Sequence, residues 1–359
     1  MDLTTNYMGL SLRNPLVASA SPLAQTLAGV QRLADAGVGA VVLPSLFEEQ
    51  LRREAEQDAR LAEAGTESFA ESLSYLPDAL SYPPDAQSYL EAQSYLGAQS
   101  YLEAQGQAGS RRYLSLLERA VAAVDVPVIA SLNGVTTGGW TDYASAMEQA
   151  GAAAIELNIY YLPGDPLTPG RDVEQRHVDI LGTVKATVSI PVAVKLGPYF
   201  SSTGEMALRL DKFGADGLVL FNRFMQPGID PETLTVSTGF ELSSPVEARL
   251  PRAWIALLRG QVRASLAGST GVEDAADVAA YLLAGADVVM TTSSLLRHGP
   301  GHAGVLLDGL AAWMQRKGFA AVGDLRGLLR VPPGTDQAAY ERSGYLTAIQ
   351  GATLTYQPR

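Results

Sequence analysis

Along this chain of 359 residues, short runs of consecutive apolar residues alternate with longer stretches whose apolar positions recur at helical spacing. Four runs share one local grammar: Ala36-Gly37-Val38-Gly39-Ala40-Val41-Val42-Leu43, Ala150-Gly151-Ala152-Ala153-Ala154-Ile155-Glu156-Leu157, Phe213-Gly214-Ala215-Asp216-Gly217-Leu218-Val219-Leu220 and Ala284-Gly285-Ala286-Asp287-Val288-Val289-Met290. Each reads as a helix ending on glycine and passing into a short buried strand. Glycine takes the left-handed position after a helix at little steric cost, and an unbroken apolar run suits a parallel strand covered on both faces. Four further strands enter without that glycine, at Pro15-Leu16-Val17-Ala18, Pro127-Val128-Ile129-Ala130-Ser131, Pro191-Val192-Ala193-Val194-Lys195 and Ala264-Ser265-Leu266-Ala267. Proline is tolerated as the first residue of a strand.

Helix-patterned segments lie between most of these eight strands, for example Thr141 to Gln149, Glu205 to Phe213 and Glu273 to Leu283. Such alternation implies a parallel sheet with right-handed crossovers, and a count of eight argues for closure into a (β/α)8 TIM barrel. The other arrangement is an open doubly wound sheet, but no G-x-G-x-x-G follows the first strand, where Ala18-Ser19-Ala20-Ser21-Pro22 stands. The predicted organisation is α/β: a barrel over residues 1–317, a long insertion at 50–110 after strand two, and a tail over 318–359 packed on the barrel.

The insertion holds the least ordinary sequence in the chain. Ser-Tyr recurs at Ser74, Ser81, Ser88, Ser94 and Ser100, first with a period of seven and then of six. A six-residue step at ~100° per residue lands about 240° around a helix, so the segment as a whole carries no clean helical repeat. The segment is either a low-complexity expansion or a lid or partner-docking element.

Composition narrows the function classes. The chain is 47% hydrophobic and 18% charged, enough for a large soluble core. Its 26 basic and 38 acidic residues give a net charge of −12, the wrong sign for gripping nucleic acid or an anionic membrane. No basic leader or apolar stretch of about 18 residues is present, so a cytoplasmic location is expected. With no cysteine, disulfides, thiolate zinc sites, self-ligated iron–sulfur clusters and a cysteine base are all excluded. His177, His298 and His302 show no metal-binding spacing and are expected to be structural, and no metal is expected.

In such a barrel the chemistry sits at the C-terminal ends of the strands. Lys195 is one of four lysines and ends an apolar strand; a buried ammonium is costly unless paired, which aims it at an anion or electron-rich ligand, or at Glu156 next door. Gly268-Ser269-Thr270-Gly271 and Thr291-Thr292-Ser293-Ser294 follow strands seven and eight, with a helix predicted to begin near Val272. Backbone N–H groups and hydroxyls there make a phosphate cradle, or else ordinary turn and cap chemistry. Asn133, Asn158 and Asn222 end strands three, four and six, and side-chain amides suit a flat heterocycle with both donors and acceptors.

Taken in order, Asn14-Pro15-Leu16-Val17-Ala18-Ser19-Ala20, Glu156-Leu157-Asn158, Val194-Lys195-Leu196-Gly197-Pro198-Tyr199-Phe200, Phe221-Asn222 and Gly268-Ser269-Thr270-Gly271 resemble the dihydroorotate dehydrogenases, particularly the soluble class 1 enzymes. The resemblance runs from about residue 3 to residue 317. It implies an FMN-containing barrel that oxidises dihydroorotate to orotate in pyrimidine synthesis. By position, Lys195 would stabilise the reduced flavin, Asn133 and Asn158 would bind flavin, and Ala20 and Ser45 would line its ring. Thr270, Gly271, Thr292 and Ser293 would hold the phosphate, while Asn158 and Asn222 would touch the small-molecule substrate. Relatives often dimerise, so a homodimer is implied; their acceptors are fumarate or, through a partner iron–sulfur subunit, NAD.

The departures fall on the substrate side. Where class 1 carries a cysteine base, the run Asn158-Ile159-Tyr160-Tyr161-Leu162-Pro163 places Tyr161, and Pro163 replaces a second asparagine. Pro44 replaces the family's lysine at the end of strand two, and Arg223 replaces the serine after the strand-six asparagine. A phenol with a pKa of ~10 is a poor base unless a cation such as Arg223 or Lys195 lowers it, but it is a serviceable acid. Three readings follow: a dihydroorotate dehydrogenase, an FMN oxidoreductase for another dihydropyrimidine or enoyl-like substrate, or a non-catalytic flavin-binding scaffold.

Overall fold

A computed structural model describes residues 1–50, 109–136, 140–237, 239, 241–332 and 334–355. The Ser-Tyr repeat and nearly all of the predicted insertion lie outside these residues. Eight parallel strands form the barrel: β1 (Leu16–Ala18), β2 (Ala40–Val42), β3 (Val128–Asn133), β4 (Ala154–Asn158), β5 (Val192–Leu196), β6 (Gly217–Leu220), β7 (Ser265–Ser269) and β8 (Val288–Thr291). Each pairs with its sequence neighbours, β8 pairs with β1, and the register Val41↔Val128 and Val42↔Ile129 joins β2 to β3. The sheet therefore closes, and the fold is a (β/α)8 barrel.

Helices cover the outside: α1 (Leu27–Asp35), α2 (Gly109–Ala123), α3 (Trp140–Gln149), α4 (Gly170–Lys185), α5 (Thr203–Lys212), α6 (Arg249–Leu258), α7 (Ala275–Ala284), α8 (Ser293–His298) and α9 (His302–Lys317). In α1 the local causes are plain. Thr26 caps the start by accepting from the Gly29 amide, and Val30, Leu33 and Ala34 fall on one buried face. Full burial of a side chain such as Leu33 is worth about 1.5–3 kcal/mol. The turn into β2 passes through Gly37 at φ +99°, and Gly151, Gly214 and Gly285 take φ +89°, +92° and +125° at the other three predicted helix-to-strand turns. No helix among the described residues is long and apolar enough to cross a membrane.

Strand alternation sends Val17, Val42, Ile129, Ala154, Ala193, Val219, Ala267 and Met290 into the barrel interior. An antiparallel hairpin, Thr5–Tyr7 with Leu10–Leu12, supplies Tyr7, Met8 and Leu12 as its floor. At this lower rim, aspartates tie neighbouring segments together. Asp287 takes Arg259 and Arg326, each at 2.9 Å, and Asp216 takes Lys185 at 2.7 Å. The barrel consequently opens at the other end.

Beyond α9, Val322, Leu325 and Val331 are buried, and the amides of Gly327, Leu329 and Val331 donate to Leu282, Leu283 and Ala256 of α7 and α6. The following helix, Gln337–Thr355, is exposed at every position described, with Tyr340, Tyr345, Leu346 and Ile349 spread too thinly to form an apolar stripe.

Candidate active site

The upper mouth gathers most of the polar residues singled out above. Register sets Asn133 opposite Asn158 and Asn158 opposite Lys195, so three candidate residues stand side by side on β3, β4 and β5. Asn133 is buried; Asn158 and Asn222 are half-buried, and the Asn222 side-chain amide donates to the Asn158 side-chain oxygen. Asn222 is held in place by its own backbone amide, which donates to the Leu196 carbonyl at 2.6 Å.

Lys195 is 8% exposed, and its Nζ lies 3.6 Å from Glu156 Oε1 and 3.5 Å from Ser19 Oγ. Lys195 is therefore ion-paired with Glu156, one residue before the C-terminal end of its strand. Ala20 packs, partly buried, against the interior cluster. Ser45 exchanges a 2.8 Å hydrogen bond with Ser131, whose backbone amide donates to Tyr113 Oη at 2.9 Å. Burial drives the Tyr113 phenol far above its ordinary range, so it stays protonated.

The β7 and β8 ends converge on a residue that sequence reasoning missed. Ser243, in the loop before α6, accepts from the Gly271 amide at 3.2 Å and donates its hydroxyl to Ser293 Oγ at 2.9 Å, while its own amide donates to the same oxygen at 3.0 Å. Nothing in the local sequence beyond the turn-like Ser243-Ser244-Pro245 marks it, because its role depends on three segments meeting. Thr270 sits at φ +85° and Gly271 at φ +68°; left-handed backbone at a threonine costs about 1–3 kcal/mol and is retained where surroundings impose it. A Cβ on Gly271 would stand 2.6 Å from the Ser244 carbonyl oxygen, so only glycine fits. Thr292 donates to the Ser19 carbonyl at 3.3 Å. From behind, Tyr281 donates its hydroxyl to the Ser269 and Thr270 carbonyls, at 2.8 and 2.7 Å.

Two sequence expectations need correction. The helix after strand seven begins at Ala275, not near Val272, and its N-terminus is occupied by Asp274, which accepts from the Ala276 and Asp277 amides. The cradle is therefore a loop of small residues rather than a helix start. Arg223, expected as a cation that could act on Tyr161, is instead engaged by Glu247 at 2.7 Å and by the Glu241 carbonyl. The cation over Tyr161 is Arg176 of α4, 4.5 Å from the ring centroid. The neighbouring Tyr160 stacks on Phe224 and accepts from the Met225 amide. His177 is buried, its Nδ1 2.8 Å from the Val173 carbonyl oxygen. A cleft of about 610 Å³ opens beside Asn222 and Thr270, roofed by the exposed hairpin of Gly228–Asp230 and Thr235–Ser237.

Comparison with known proteins places the chain in a family. Residues 96–314 match the family model for dihydroorotate dehydrogenase. A protein of Aeropyrum pernix, provisionally named dihydroorotate dehydrogenase A (fumarate), is 30% identical over 281 residues, 76% of this chain and 88% of its own. The chain belongs to the dihydroorotate dehydrogenase family. It is also 25% identical over 334 residues to the dihydroorotate dehydrogenase B (NAD(+)) catalytic subunit of Methanothermobacter thermautotrophicus, covering 91% of this chain and 98% of the relative. The protein of the same name from Methanocella arvoryzae is 27% identical over 320 residues, 88% of this chain and 94% of its own. Family membership makes the chain similar to oxidoreductases.

Proposed function

We propose that this protein is an FMN-dependent oxidoreductase that converts dihydroorotate to orotate, a cytoplasmic step in pyrimidine synthesis. The observation that carries the reading is Lys195, a cation kept buried at the ligand-binding end of the barrel beside three asparagines. The residues fit the group. Gly271 leaves room only for backbone, and Ser243 and Ser293 bring hydroxyls to the same loop. The nearest acid in that chain segment, Glu273, is engaged by Arg297 and by His298 at 2.8 Å, and the His298 hydrogen bond, ahead of the Arg297 charge, holds its carboxyl below the usual range.

FMN bound there supplies a hydride acceptor at N5. Thr270, Gly271, Thr292 and Ser293 hold its phosphate, Ala20 and Ser45 flank its ring, and Asn133 and Asn158 meet its polar edge. Lys195 would offer bound flavin a fixed positive charge that favours its reduced form. Asn158 and Asn222 orient the pyrimidine through donor and acceptor pairs, and Tyr161 Oη manages the substrate proton. Purified protein is expected to carry a yellow flavin band that dihydroorotate bleaches under anaerobic conditions. A colourless protein that takes up no FMN on reconstitution refutes the reading.

A second reading is favoured by the absence of any cysteine and by Tyr161 at the base position. A phenol donates a proton more readily than it removes one at neutral pH, which suits reduction of an activated C=C bond in another pyrimidine or enoyl-like substrate. A flavin that dihydroorotate leaves oxidised, but that an enoyl-like substrate reoxidises once dithionite has reduced it, selects this reading. Full turnover by Tyr161→Phe excludes the tyrosine from proton transfer under either.

A further inference from the structure

Glu156 lies one interior layer below the asparagines, two residues before Asn158 on β4. It is 1% exposed, and neither carboxylate oxygen has a hydrogen-bond partner among the described residues. Register explains why. Ala193 stands opposite Glu156, while Lys195 stands opposite Asn158, so the ammonium reaches its counter-charge only along a diagonal, at 3.6 Å. The other lysine pair, Lys185 on Asp216, closes to hydrogen-bond length at 2.7 Å. An ammonium has three donors, and the two contacts made by Lys195, to Glu156 and Ser19, are both long. Lys195 therefore keeps donor capacity for a ligand while remaining charge-paired. Below, the buried Tyr7 hydroxyl belongs to the floor, and its ionisation is pushed well up by burial, then by the charges of Glu156 and Asp287.

We propose that Glu156 is a positioning residue for Lys195: it anchors the ammonium at the mouth from the layer beneath and cancels part of its charge, so setting how strongly the site favours negative charge on its ligand. The ligand part rests on the flavin reading above. In low-dielectric surroundings a carboxylate this close opposes any anion that Lys195 attracts, and removing its charge makes the pocket more electropositive without altering the mouth itself. Among the described residues, Lys195 is the only cation in contact with Glu156.

The test has two arms. In the FMN-loaded enzyme, Glu156→Gln is expected to make the flavin easier to reduce by at least about tenfold in the two-electron equilibrium constant, equivalent to about 30 mV. Glu156→Asp keeps the charge and is expected to stay within about twofold of the wild type, which a purely structural role would not distinguish from Gln. An unchanged or lowered potential in Glu156→Gln overturns the proposal. In apoprotein, denaturant unfolding of Glu156→Gln, Lys195→Met and the double variant forms a cycle. Each single variant is expected to lose stability that the double variant regains; additive losses overturn the pairing. Wild type that binds no flavin defeats the functional reading and the ligand half of this proposal, while the apoprotein cycle still decides the pair. If Glu156→Gln alone does not fold, recovery of folding in the double variant is the expected result and continued failure overturns it.

Discussion

The side-chain amide of Asn222 donates to the side-chain oxygen of Asn158 across β5, the strand that carries Lys195. Two groups proposed to hold the substrate are thus pre-oriented by each other, and a bound pyrimidine must share or replace that bond. Asn222→Ala is expected to lower kcat/KM by about 10- to 100-fold, corresponding to about 1.4–2.7 kcal/mol of lost transition-state stabilisation. Stability should change by no more than about 1.5 kcal/mol, since the pair is half-buried. Steady-state kinetics with the substrate that bleaches the flavin, beside a thermal melt, separates the two; unaltered kcat/KM removes Asn222 from the substrate site.

Gly271→Ala strains the backbone and drives a methyl into the Ser244 carbonyl and the Ala248 amide. The left-handed conformation alone costs about 1–3 kcal/mol, and relief of the clash would move the Gly271 amide away from Ser243. FMN affinity measured by fluorescence titration should fall by at least about tenfold. Wild-type affinity in this variant would mean that the phosphate is bound elsewhere.

Desolvation by burial holds the His177 imidazole below its ordinary pKa; the bond to Val173 opposes this, and Arg176 adds to it. The sign follows from linkage. Above about pH 6.5 neither folded nor unfolded chain protonates this ring; as pH falls through about 6.5, the unfolded chain binds a proton that the folded chain does not. Stability therefore declines from about pH 6.5 down to the depressed folded value, with a slope of at most ~1.4 kcal/mol per pH unit from this group. Urea midpoints between pH 7.5 and 5 should show a shallower decline for His177→Gln than for wild type. Parallel curves would show that His177 protonates equally in both states.

Tyr7 Oη is fully buried in the floor and has no hydrogen-bond partner among the described residues. A buried hydroxyl without a partner costs about 1–3 kcal/mol relative to a satisfied one, and phenylalanine keeps the same ring. Tyr7→Phe is expected to leave stability unchanged or to raise it by up to about 2 kcal/mol. A loss greater than about 1 kcal/mol, read from denaturant unfolding, would reveal a bond that this hydroxyl makes.

Strands buried on both faces announce themselves in sequence, which is why Val128–Asn133 and Val192–Leu196 stand where their apolar runs place them. The floor hairpin and the Gly228–Ser237 hairpin have strands of three residues, too short for any period to emerge. The same limit applies to the site. Lys195 and the three asparagines are visible because each stands at or just beside the C-terminal end of a strand, where barrels of this kind place their chemistry. Ser243, Tyr281 and the Arg176 that covers Tyr161 act through tertiary contacts, and no spacing along the chain connects Ser243 to Gly271 and Ser293, or Tyr161 to α4. The start of α7 was misplaced for a local reason: Asp274 is the stronger cap, and the residues before it are held in the loop by left-handed backbone.

Near its floor the barrel is also fastened end to end. The Asp2 amide donates to the Ala320 carbonyl at 2.9 Å, and the Val322 amide donates back to the Asp2 carbonyl at 3.0 Å. Residues more than three hundred positions apart thus run side by side, and the order in which the eight β–α units are threaded is not what holds them together. A circularly permuted chain, with the segment after Val331 linked back to Met1 through a flexible linker and opened at the exposed Asp230–Thr235 tip, should close the same ring and keep Lys195 in its mouth.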